Sequence, residues 1–160
     1  MIIVTNAPLL LLLLFVAGLA FAAVEDGYRR RVSNVAVAMV GLSGIAAFIM
    51  TGHAPRLWEP LVIAAVVLAI GTFLFSRGLM GGGDIKLMAA GCFWFSLRGQ
   101  AIYLAAALIA GGVLAILVLA YRWLRSRGGF KRLGSTSIGI PYAMAIAAGA
   151  GWTVWHYRLG

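Results

Sequence analysis

The stretch Leu9–Arg31, LLLLLLFVAGLAFAAVEDGYRRR, decides what kind of protein this is. Its first 16 residues are all apolar or small, and the run stops abruptly at Glu25, Asp26 and three consecutive arginines, Arg29, Arg30 and Arg31. A helix rises about 1.5 Å per residue, so about 20 residues cross the roughly 30 Å hydrocarbon core of a bilayer. A leucine-rich run followed by small residues also has the look of a secretory signal, but no Lys or Arg precedes Arg29. Without the positively charged leading region of a signal, the segment reads as a first membrane-spanning helix.

The rest of the chain has the same character. Of 160 residues 63% are hydrophobic, against about 45–50% in an ordinary soluble domain, and the mean hydropathy is +1.01. Only 11% are charged: 13 Lys and Arg against four acids, Glu25, Asp26, Glu59 and Asp84. Such a basic balance suits nucleic acid only when the cations form a face on a soluble fold. Here they fall in short stretches between apolar runs, which excludes that partner and leaves the bilayer. The lone Cys92 permits neither an intramolecular disulfide nor a CxxC metal site.

Segments at about 6–24, 34–52, 58–76, 84–98, 101–121 and 138–156 approach spanning length. The expectation is an all-α membrane protein, a bundle of about six transmembrane helices in one domain over residues 1–160. Cytoplasmic loops carry the excess of Lys and Arg. With the N-terminus outside, Arg29, Arg30, Arg31, Arg77, Lys86, Arg122, Arg125, Arg127, Lys131 and Arg132 lie inside, and only Arg56, Arg98 and Arg158 lie outside. That orientation puts Asp26 and Asp84 at one cytoplasmic boundary. Ala143, Ala147 and Gly151, spaced by four, suggest a small-residue packing stripe on the last helix.

A carboxylate at the edge of a spanning helix costs about 2–3 kcal/mol even on lenient insertion scales, so it tends to face the bundle interior and to have a purpose. Asp84, between Gly81-Gly82-Gly83 and an apolar run, could alternatively be a helix N-cap. A second boundary acid, Asp26, at the same expected depth weighs against that reading. Two aspartates sharing a site cannot both ionise cheaply and tend to share a proton. Such a pair can activate water and protonate a departing amine.

These residues carry a resemblance. Gly81-Gly82-Gly83-Asp84 fits the G-x-G-D signature of membrane aspartic peptidases, and with Ile85-Lys86-Leu87-Met88-Ala89-Ala90 it resembles the second catalytic segment of type IV prepilin peptidases. The family's first segment runs roughly D-x-x-x-R-x-I-P-N. Asp26, Arg30, Val32 and Asn34 match it, with Val for Ile and Ser33 for the usual Pro. Ile140-Pro141-Tyr142-Ala143 resembles the closing I-P-Y-G, with Ala143 for Gly.

The resemblance implies an aspartic endopeptidase of the bacterial inner membrane, without cofactor or metal. Its partner would be a prepilin, a basic leader followed by a hydrophobic helix, cut after a Gly at the cytoplasmic face. The length is similar to that of the small members associated with tight-adherence (Flp) pili. The inserted cytoplasmic domain with paired CxxC motifs, found in relatives that also N-methylate, has no counterpart here, so cleavage without methyl transfer is expected. Asp26 and Asp84 are the expected catalytic pair, with Gly81, Gly83, Arg30, Asn34, Lys86, Pro141 and Tyr142 in support.

Each supporting residue also has a plainer reading. The arginines can anchor to anionic lipid, Asn34 can cap its helix, and Lys86, about 200° around a helix from Asp84, can snorkel to headgroups. Gly81 and Gly83 would present Asp84 through a tight backbone path, most demandingly at positive φ. Pro141 suits a helix start. Glu25, about 100° around the helix from Asp26, is excluded from the same site. A different class, a small transporter relaying protons or cations through its acids, would spread those acids through the depth of the membrane.

Overall fold

The computed structural model describes residues 6–125 and 142–159, and all its regular structure is helical. Six α-helices follow in order: α1 (Leu9–Arg29), α2 (Asn34–Met50), α3 (Trp58–Ser76), α4 (Gly82–Gly91), α5 (Leu97–Arg125) and α6 (Tyr142–Leu159). Short 3-10 turns precede α3 (Ala54–Arg56) and extend α4 (Cys92–Trp94). The all-α membrane bundle expected from hydropathy is therefore present. Leu9–Arg29, Ala54–Ser76 and Leu97–Tyr121 are long and apolar enough to cross a bilayer, and Asn34–Met50 is a shorter apolar helix.

The ends of these helices follow local chemistry. Pro8 precedes α1, and α1 ends where Arg30 turns into the left-handed region at φ 52°, its N–H donating to the Asp26 carbonyl at 2.9 Å. The Ser33 side chain accepts from the Ala36 N–H at 3.3 Å and so caps α2. Asn34 is the first helical residue rather than the cap.

The largest departure from the expected spans is at the fourth. The apolar run continues through Cys92-Phe93-Trp94-Phe95, but α4 has only ten residues, about 15 Å of rise. The chain becomes extended at Phe95, with φ −129° and ψ 146°. Gln100, 1% exposed, makes the break possible. Its side-chain amide donates to the Cys92 carbonyl at 3.1 Å and the Phe95 carbonyl at 2.9 Å. In an apolar bundle no water is available to satisfy those carbonyls, so the chain must do it.

Packing centres on aromatic contacts around this break. Phe15 of α1 stacks on Trp94 at 4.4 Å between ring centroids, and Phe95 stacks on Tyr103 of α5 at 5.1 Å. The Trp94 indole N–H donates to the Val40 carbonyl of α2 at 3.0 Å. Outward faces remain apolar, as on α3, where Val62, Val66, Ile70 and Phe73 are exposed at helical spacing. On α6 the expected small-residue stripe is only partly right. Ala143 is buried, but Gly151 is exposed with nothing near it. The close approach is made by Gly149, where an added Cβ would sit 2.6 Å from the Ala107 backbone nitrogen. Burial of a helix face is set by its neighbour's position, which a spacing of four along one helix does not contain.

Candidate functional site

The C-terminal end of α1 and the N-terminal ends of α2, α4 and α6 meet at one end of the bundle. Asp26, on the last turn of α1, is 4% exposed, and Asp84, on the first turn of α4, is 7% exposed. Both acids that the sequence singled out are thus withdrawn from solvent at the same end of the bundle.

Each carboxyl meets a helix N-terminus, where backbone N–H groups lack intrahelical partners. Oδ2 of Asp26 accepts the Ala143 N–H in the first turn of α6 at 2.9 Å, joining residues 117 apart in sequence. Asp84 lies in the first turn of its own helix, with Gly81 in the cap position and the Gly81 backbone amide beside its carboxyl. This corrects the alternative in which Asp84 is itself the N-cap: it sits three residues further in, where a carboxyl reaches back to the cap amide. Its Oδ1 is buried and has no hydrogen-bond partner.

The glycines act through close approach and not through unusual torsions. Gly81 has φ −74° and ψ 139°, open to any residue, so the condition of positive φ is not met there. A Cβ on Gly81 would instead lie 2.6 Å from Oδ2 of Asp84. On Gly83 it would lie 2.9 Å from Cβ and 3.1 Å from the carbonyl oxygen of Val32. The first glycine makes room for the carboxylate, and the second lets the α1–α2 connection press onto α4. Gly82, between them, would make only ordinary contact with Phe75 at 3.6 Å.

The supporting residues divide. Tyr142 is half-buried at the start of α6, and its ring packs against Gly111. Lys86 and Asn34 meet each other and not the acids: the ammonium donates to Oδ1 of Asn34 at 3.4 Å, tying α4 to α2. The Arg30 side chain is exposed. Pro141 lies outside the described residues, as do Arg127, Lys131 and Arg132. Arg77, its guanidinium 4.8 Å from the Phe73 ring centroid, ends α3 at the same end of the bundle. Among the described residues no three His, Cys, Asp or Glu side chains gather as a metal site would require.

Sequence reasoning passed over Glu25. Its Oε2 accepts the Ser33 N–H at 2.8 Å, bracing the loop that carries Val32. Proline at position 33 would have no N–H to give, so the departure from the usual motif and the role of Glu25 belong together. The signal was the Ser33 substitution itself.

With this arrangement in place, comparison with known proteins identifies the class. The model of the type IV leader peptidase family matches residues 13–116, more than half of the chain and both acids. The chain belongs to that family. The resemblance at Ile140–Ala143 lies beyond the matched span. No curated protein and no solved structure matches the chain.

Proposed function

We propose that this protein is an aspartic endopeptidase that removes the leader of type IV prepilins of the Flp kind at the cytoplasmic face of the bacterial inner membrane, without methylating the product. The observation that supports the reading is the burial of Asp26 and Asp84 at one end of the bundle, at the α6 and α4 N-termini. The same end of the bundle holds Arg29, Arg30, Arg31, Arg77 and Lys86, which supports its facing the cytoplasm.

The chemistry follows from two carboxyls that share one proton. The ionised member removes a proton from a water as its oxygen bonds to the scissile carbonyl carbon, and the protonated member gives its proton to the carbonyl oxygen. The resulting diol collapses as the first acid returns its proton to the amide nitrogen, the C–N bond breaks, and the second acid recovers a proton from a diol hydroxyl. One water is consumed, and both acids end as they began.

The test is incubation of the purified protein, in lipid nanodiscs, with a synthetic prepilin segment comprising the basic leader and the first apolar turns. Mass spectrometry is expected to find two products separated at one bond. An intact segment under conditions where the helices are folded would overturn the reading. Methyl transfer from S-adenosylmethionine to the new terminus would overturn its last clause.

A further inference from the structure

We infer that the two acids are not interchangeable: Asp84 holds the shared proton, on Oδ1, and Asp26 is the ionised base, held in that role by the backbone N–H of Ala143. The catalytic part of this inference rests on the peptidase reading, whereas the location of the proton does not.

The geometry differs at the two carboxyls. Asp26 spends Oδ2 as an acceptor from Ala143, in the first turn of an 18-residue helix. A helix N-terminus and a hydrogen bond to the charged form both favour negative charge; Asp84 also has a backbone amide, that of Gly81, so the difference between the acids lies at its second oxygen. Asp84 buries Oδ1 with no protein donor to meet it. A bare anionic oxygen there would forfeit its hydration with nothing in return. A neutral hydroxyl at Oδ1 forfeits far less on burial than a bare charge does.

The surrounding groups do not reverse this assignment. Asp84 faces Asp26 from α1 and Tyr142 from α6, besides the Gly81 amide of its own turn. Asp26 faces Asp84 and the α6 amide. The cations at this end, Arg29, Arg30, Arg31, Arg77 and Lys86, are exposed, and none is among the groups acting on either carboxyl. In the hydrolytic step the water's proton therefore goes to Asp26 and the carbonyl oxygen receives the proton of Asp84. Ala143 is a positioning residue: it touches no substrate and acts through Asp26.

The direct test reads the proton and needs no turnover. In detergent free of ester carbonyls, near neutral pH, infrared spectra of the full chain are expected to show a protonated-carboxyl C=O band that moves down in D2O. The band should vanish in Asp84→Asn and persist in Asp26→Asn, circular dichroism confirming helicity in both. A band lost only in Asp26→Asn, or none in the parent protein, overturns the assignment. Ala143→Pro removes the donated hydrogen in a first helical turn that tolerates proline. It should lower kcat tenfold to hundredfold with little change in KM, in line with the usual worth of about 1.5–3 kcal/mol for a hydrogen bond to a charged group. Ala143→Gly, which keeps the N–H, should recover about tenfold or more of that loss. An unchanged rate in Ala143→Pro, or an equal loss in both variants, overturns the role of Ala143. A chain that cleaves nothing but shows the band pattern would sink the peptidase reading and leave the proton assignment standing.

Discussion

Gly83 and Val32 approach so closely that a methyl group on the glycine would lie 2.9 Å from the valine Cβ and 3.1 Å from its carbonyl oxygen. Through that contact the loop after Asp26 and the helix that carries Asp84 are pressed into one unit. Gly83→Ala should therefore lower stability by about 1–3 kcal/mol, the usual cost of overpacking, and slow leader removal with it. Gly82→Ala is the control and should leave the midpoint of thermal unfolding in detergent nearly unmoved.

Gly81→Ala should behave differently. Its methyl group would meet Oδ2 of Asp84 at 2.6 Å and no backbone. The carboxyl must swing away, so cleavage should fall by at least about tenfold, as expected when a catalytic group is displaced by a fraction of an ångström to an ångström, while the unfolding midpoint changes little. Unaltered cleavage would show that the carboxyl does not need its observed position.

Arg30 is the one non-glycine residue with positive φ among the described residues. The left-handed region costs a residue with a Cβ about 1–2 kcal/mol, here at a helix C-cap whose N–H bonds back to the Asp26 carbonyl. Arg30→Gly should raise stability by up to about 1 kcal/mol and slow cleavage of a prepilin segment. Cleavage at the parent rate would leave Arg30 as a surface cation only.

Gln100→Leu strands the Phe95 carbonyl in the bundle interior and leaves the Cys92 carbonyl with the Phe95 N–H alone. Each unsatisfied buried polar group costs about 1–3 kcal/mol. Thermal unfolding should shift down by far more than for Leu97→Ala, which changes an exposed apolar side chain three residues away. An equal shift in the two variants would mean that the break is held by something else.

The sequence was most legible where one helix explains itself. Segment 58–76 coincides with α3, Trp58–Ser76, because a long apolar run bounded by Glu59 and Arg77 carries its own limits. The acids Asp26 and Asp84 were legible because carboxylates are costly at an apolar boundary. Features that depend on distant partners were not. Hydropathy reads Cys92–Phe95 as more helix, since the break depends on Gln100 arriving from the next element. The α6 amide on Asp26 and the Lys86–Asn34 contact join residues 117 and 52 apart. The glycines at 81 and 83 were singled out for backbone freedom, whereas contact distance is what excludes a side chain there.

The central claim is that Asp26 and Asp84 are two halves of one hydrolytic site. The most direct measurement is the rate of leader removal from one prepilin substrate by the parent protein, Asp26→Asn, Asp84→Asn and the double variant, each confirmed as membrane-inserted. Either single change should reduce the rate by at least about a hundredfold, with the double variant no slower than the worse single one, because groups that act as a unit are not additive. Cleavage at the parent rate by either single variant, or losses that multiply as for independent sites, would contradict the account.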